Sequence, residues 1–157
     1  MSELTHLDKS GTARMVDVGG KPVTAREAVA EGRVRMKPET LARALSGDSK
    51  KGSIRAAAEF AGVMAAKRTA ELIPLCHQIP LSSISLAIEA DEKASALIVT
   101  ARAKTSAQTG VEMEALVAVS VACLTIYDML KAADRGMVIE GVMLTEKHGG
   151  ASGDYVR

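Results

Sequence analysis

Asp128 and Lys131 stand three residues apart near the end of Thr109 to Arg135, TGVEMEALVAVSVACLTIYDMLKAADR, the longest apolar run in the chain. A carboxylate and an amine at i,i+3 share one helix face, which suits proton exchange between them. Two further carboxylates, Glu112 and Glu114, open the same run. At ~100° per residue, Glu114, Val121 and Asp128 fall on one stripe, so charge continues the apolar line instead of opposing it. The plain alternatives are a surface ion pair at one end and, at the other, a capping box joining Thr109 to Glu112. Glu114 and Asp128 are separated by ~21 Å of helix. Either the ligand is long, or the two ends serve different sites that need groups from a second subunit.

Other reactive side chains sit in segments without a sustained period. Leu72 to Leu81, LIPLCHQIPL, is apolar and bracketed by Pro74 and Pro80, which fix φ and stiffen it. His77 in such a loop is either a core residue with satisfied nitrogens or a site residue. Cys76 beside it suggests a metal ligand or a thiol nucleophile, but no further Cys or His stands at zinc spacing, and no metal site is expected. Gly19, Gly20 and Lys21 would let backbone approach an anion, or simply make a turn. Thr24 and Glu27 read as a capping box that starts a short helix to about Ala30, with Arg26 in its first turn. A cation there opposes the helix dipole and hints at an anionic partner. Lys50, Lys51, Gly52 and Ser53 form a basic turn at the start of the next helix, either a phosphate site or a solvated lysine turn. Lys67 and Arg68 suit a helix C-terminus. Lys147 opens a Gly-rich tail, residues 146–157, expected to be flexible unless an anion orders it.

The elements that must position these groups follow from pattern and composition. A chain of 157 residues suggests one domain, with an N-terminal arm over residues 1–23. With 47% hydrophobic residues but only two Tyr, one Phe and no Trp, the core must be built from Ala, Val, Leu, Ile and Met. Net charge is +1, against a nucleic-acid backbone as main partner. The central run looks too short and small in its side chains to span a bilayer. With no signal peptide and only Cys76 and Cys123, a soluble cytoplasmic protein is expected.

Val34 and Met36 read as a short strand, and Pro38 to Leu45 as a helix stopped by Ser46 and Gly47. A second, alanine-rich helix runs from Ile54 towards Pro74. Leu81 to Glu89 alternates with period two, and Ala96 to Arg102 completes a hairpin across Asp91-Glu92-Lys93. Met137 to Leu144 is a closing strand. The order is an α+β, ferredoxin-like βαββαβ fold, an antiparallel sheet with helices on one face. That fold serves enzymes, regulatory modules and RNA binders alike. An RNA binder would need aromatics on the sheet, and neither hairpin strand carries one.

Four stretches together resemble the cyclic pyranopterin monophosphate synthase family of molybdenum cofactor biosynthesis: Met15-Val16-Asp17-Val18, the IPLCH run to His77, TGVEMEAL through YDMLKA, and Lys147 to Gly153. The resemblance covers nearly the whole chain. It implies a lyase that rearranges a cyclised dihydro-GTP into the pyranopterin ring system, closes a cyclic phosphate and releases pyrophosphate. It also implies a homohexamer built as a trimer of dimers, with sites at subunit contacts. Asp128, Lys131 and Lys51 match the family's catalytic groups. Leu75, Cys76, His77, Met113 and Glu114 match segments that hold the purine-derived ring. Lys21, Arg26, Lys67 and Lys147 are left for the triphosphate, which magnesium could accompany without a dedicated site or other cofactor. The chain departs from the family's usual residues at Gln78, His148 and Ala151, the last removing a cation from the tail.

Overall fold

The computed structural model describes residues 5–47 and 53–157, so Lys51 lies outside the described residues. Strand β1 (Thr24–Arg35) is followed by helices α1 (Pro38–Leu45), α2 (Ile54–Ala66) and α3 (Thr69–Leu72). Hairpin strands β2 (Leu81–Asp91) and β3 (Ala96–Ala107) come next, then α4 (Glu112–Leu130), β4 (Val138–His148) and the short β5 (Tyr155–Val156). The antiparallel sheet has the order β2-β3-β1-β4-β5. The two outermost crossovers carry the helices, so β1 and β3 lie side by side at the centre. This is the expected ferredoxin-like arrangement, extended by β5.

Several local readings are corrected. Thr24 to Ala30 is strand, not helix, and no capping box forms there. Ala28, Ala30, Gly32 and Val34 alternate toward α4, while Glu27, Glu31, Arg33 and Arg35 fall on the other face. Ladders on both sides override the weak strand preference of Ala and Glu. Glu27 is taken up by ion pairs to Arg102 and, at 3.0 Å, to Lys104. The second correction concerns α4, whose N-cap is Val111 with no side-chain cap, so the proposed Thr109–Glu112 box is absent too. The helix also ends at Leu130 with Lys131 as its C-cap, short of Arg135.

The core lies between the sheet and the helices. Ala28, Ala30, Val34, Leu97, Val99, Ala101 and Ala103 meet Ala115, Ala118, Val119, Ala122, Cys123 and Ile126, all fully buried. By length and composition α4 would pass for a membrane span. Its packing against the sheet and α2 makes it the central core helix instead. Small side chains allow this close approach: a Cβ at Gly62 on α2 would collide with Leu86 and lie 3.0 Å from the Ala118 carbonyl.

Toward the C-terminus, β4 continues to His148, and Tyr155 and Val156 pair back onto Lys147 and Glu146. The residues read as a Gly-rich tail therefore carry the end of one strand and a short hairpin. Gly149 (φ 85°) and Gly150 (φ 86°) turn the chain in the left-handed region. A Cβ on either would strike the Ala25 carbonyl or the Arg26 guanidinium.

Candidate functional site

A cavity of about 340 Å³ opens where three segments meet. The arm supplies Val16, Val18 and Lys21, the Pro-bracketed loop supplies Leu75, Cys76 and His77, and the start of α4 supplies Glu112, Met113 and Glu114. Each segment is held for a local reason. The loop follows α3, whose C-cap Ile73 is extended, and the Ile73 carbonyl accepts the Cys76 N–H at 3.1 Å. His77 Nε2 donates to the Val16 carbonyl at 2.6 Å, tying loop to arm. At the helix start, a Cβ on Gly110 would overlap the Glu112 carboxylate, so glycine lets that side chain fold back over the turn.

Glu114 is 5% exposed, and burial pushes its carboxyl up to about 7. Its own backbone N–H opposes the rise and the Glu112 charge adds to it. At neutral pH Glu114 can therefore either accept or donate a proton. Burial, and then the Glu114 charge, raise the Cys76 thiol, which stays protonated at neutral pH. Cys76 and Cys123 are both free thiols.

Of the residues singled out in the sequence, Lys21, Leu75, Cys76, His77, Met113 and Glu114 thus meet in one cavity. Arg26 and Lys147 do not line that cavity, and each engages the turn that follows β4. Arg26 Nε donates to the Ala107 carbonyl at 3.1 Å and Nη2 to the Gln108 carbonyl at 3.3 Å, with the Gly149–Gly150 turn packed over the guanidinium. Lys147 Nζ donates to Ser152 Oγ at 2.6 Å and to the Gly153 carbonyl at 3.2 Å, inside the C-terminal turn. Next to it, Asp154 and Glu146 raise the His148 imidazole through bonds at 3.3 and 3.4 Å.

The remaining groups lie elsewhere. Asp128 Oδ1 and Lys131 Nζ are 2.6 Å apart at the far end of α4, with side chains 62% and 55% exposed. The carboxylate, through its hydrogen bond and its charge, raises the ammonium. Lys67 caps the end of α2 at the surface. Among the described residues, no group of three His, Cys, Asp or Glu gathers as a metal site.

The MoaC family model matches residues 15–150, which include the arm turn, the loop, all of α4 and β4. The chain belongs to the MoaC family. A cyclic pyranopterin monophosphate synthase of Thermomicrobium roseum is 57% identical over 157 residues, covering 100% of this chain and 95% of that protein. One of Cereibacter sphaeroides is 57% identical over 155 residues, covering 99% and 98% respectively.

Within this MoaC chain, several cavity residues escaped the sequence reading. Thr5 and His6 line it from an N-terminal stretch that carries no motif, and Val16, Val18, Thr109 and Gly110 line it from within stretches that carry the family resemblance, where none of them was singled out as a site residue. Gln108 was missed altogether, since a lone Gln between a strand and a helix has no distinguishing pattern. Its side chain nonetheless bridges the arm and the body.

Proposed function

We propose that the protein converts a cyclised dihydro-GTP into cyclic pyranopterin monophosphate and pyrophosphate, as a phosphorus-oxygen lyase of molybdenum cofactor biosynthesis. Support comes first from synthases of that name at 57% identity over essentially the whole chain. The observation that carries the reading is the convergence of Lys21, Leu75, Cys76, His77, Met113 and Glu114 on one cavity. A planar purine-derived ring has apolar walls there in Leu75 and Met113. Its guanidine-like edge faces Glu114, and His77 offers Nδ1 as proton acceptor because Nε2 already donates to Val16.

Lys21, Arg26, Lys67 and Lys147 hold the triphosphate, whose charge would otherwise go unpaired. Magnesium, if it accompanies the phosphates, comes as part of the substrate. Asp128, Lys131 and Lys51 move protons during ring opening and closure. Closing the cyclic phosphate forms one P–O bond and breaks the bond to the pyrophosphate leaving group.

Asp128 and Lys131 stand ~21 Å along α4 from Glu114, so one protomer does not bring them to the ring. A partner protomer supplies them, in a homohexamer arranged as a trimer of dimers. Exposed Phe60 on α2 and Leu124 on α4, 74% and 58% accessible, offer apolar surface for such association. Strands β1 to β4 carry no aromatic side chain for base stacking, against a nucleic-acid partner. The whole chain then acts as one synthase domain in the cytoplasm.

The test is incubation of purified protein with the cyclised dihydro-GTP, following pyrophosphate and pterin formation. Turnover by the natural chain and its loss in Asp128→Asn with folding intact support the assignment. Intact substrate after long incubation, or undiminished turnover in the variant, removes it.

A further inference from the structure

We infer that Gln108 is a positioning residue: its side-chain amide fixes the Gly19–Lys21 turn to the body and so aims Lys21 into the cavity. The inference rests on the reading of that cavity as the substrate site. Gln108 follows the last residue of β3 and precedes α4, outside any regular element. Its Nε2 carries two hydrogens and both are spent on the arm, one on the Gly19 carbonyl and one on the Lys21 carbonyl, each at 3.0 Å. Two carbonyl acceptors fix which end of the amide faces the turn, because only nitrogen can satisfy both.

The turn has its own closures, Gly19 N–H to Asp17 Oδ1 at 2.9 Å and Lys21 N–H to the Val18 carbonyl at 3.0 Å. Those local bonds shape the turn but do not say where it sits. Upstream, the arm is anchored at Val16 by His77, and downstream it enters β1 at Thr24, opposite Ala107. Between these anchors, among the described residues, Gln108 supplies the side-chain hydrogen bonds that join turn to body.

The platform beneath is itself tied down by hydrogen bonds. Arg26 clamps the carbonyls of Ala107 and Gln108, and the glycine turn at 149–150 covers the guanidinium. A continuous path therefore runs from the C-terminal turn through Arg26 and Gln108 to Lys21. Without the amide, the Gly19-Gly20 backbone has many conformers, and an anionic substrate must pay to order Lys21 when it binds. That cost falls on binding and not on the proton transfers assigned to Asp128 and Lys131.

The experiment compares the natural chain with Gln108→Ala, Gln108→Glu, Lys21→Ala and the Lys21→Ala/Gln108→Ala double variant. Steady-state turnover of the cyclised dihydro-GTP is read together with hydrogen exchange over residues 18–22 in the ligand-free protein. Gln108→Ala should raise KM about tenfold with kcat within about twofold, and should speed exchange at Lys21. Gln108→Glu should be worse than Ala, because a carboxylate would face two carbonyl oxygens. The double variant should match Lys21→Ala alone, since Gln108 acts through Lys21. Unchanged exchange in Gln108→Ala overturns the tether. Faster exchange with unchanged KM, or additive losses in the double variant, overturns its role in aiming Lys21. If the natural chain does not turn over this substrate, the functional reading fails, while exchange in Gln108→Ala still decides whether the amide holds the turn.

Discussion

His77 Nε2 sits 2.6 Å from the Val16 carbonyl, 61 residues away in the chain. A carbonyl only accepts, so this contact protonates Nε2 and leaves Nδ1 with the lone pair in the neutral ring. One bond thereby fixes the tautomer and docks the arm. Replacing His77 by Ala should lower kcat/KM for the cyclised dihydro-GTP by ~10²–10³, combining loss of a proton acceptor with a loosened arm. Long-range ¹H–¹⁵N spectra should show the Nε2–H tautomer in the natural chain. The Nδ1–H form would remove this role for the ring.

Glu114 makes a pH prediction whose sign is set by its environment. Its carboxyl titrates at 4.5 when unperturbed and at about 7 in the folded protein, chiefly because it is buried. The folded state holds the proton more tightly. Its stabilising contribution is therefore full below about 4.5 and is lost as pH rises through about 7. Glu114→Gln should flatten that decline, gaining roughly 2 kcal/mol on the natural chain between pH 5 and pH 8 in urea unfolding. Alkylation of Cys76 at pH 8 should quicken in the same variant, because one of the two causes that raise its thiol is then gone. Parallel stability profiles for the two proteins would show that Glu114 is not the titrating group.

Much of this fold was legible because its periods are clean. From Ser83 to Glu89 apolar and polar or small residues alternate, with Ile84, Leu86 and Ile88 on one face, and Pro38 and Gly47 mark the ends of the first helix. The first strand was misread because Thr24-x-x-Glu27 and a run of alanines mimic a helix start. Nothing local reveals that β3 and β4 will pair with it on both sides. Small residues stand there because α4 packs closely, a tertiary requirement invisible in a single segment. The cavity was partly legible for a similar reason. The IPLCH and TGVEMEAL stretches announce themselves as segments, but Gln108 acquires meaning only when the arm folds back over it.

Asp128 and Lys131 pair at 2.6 Å in a surface setting, far from the cavity of their own chain. If a partner protomer's pair completes each site, two separately inactive variants should rescue one another. Mixing Asp128→Asn with His77→Ala after dissociation and reassembly should return about a quarter of the natural activity, the share of interfaces whose two contributing halves are both intact. Asp128→Asn alone should unfold within about 2 °C of the natural chain, as expected for a side chain exposed to solvent, while His77→Ala, which gives up the bond to Val16, should lose roughly 1 kcal/mol, or about 3 °C. No recovery in mixed, verified hetero-oligomers would place the whole site within one chain.

Gly62 reports on how closely α2 and α4 approach each other. Ala is the better helix former by ~1 kcal/mol, so on propensity alone Gly62→Ala should stabilise. The added Cβ would meet Leu86 on β2, which can shift, and the Ala118 carbonyl at 3.0 Å, which is backbone and cannot shift without moving α4. Overpacking of this kind costs about 1–3 kcal/mol. The net expectation is a loss of roughly 1 kcal/mol, or a Tm lower by about 3 °C for a chain of this size. Adding Leu86→Val should recover only the part owed to the Leu86 side chain, so the double variant should stay below the natural chain. A more stable Gly62→Ala protein would mean that helix preference outweighs the contact and that the two helices stand further apart.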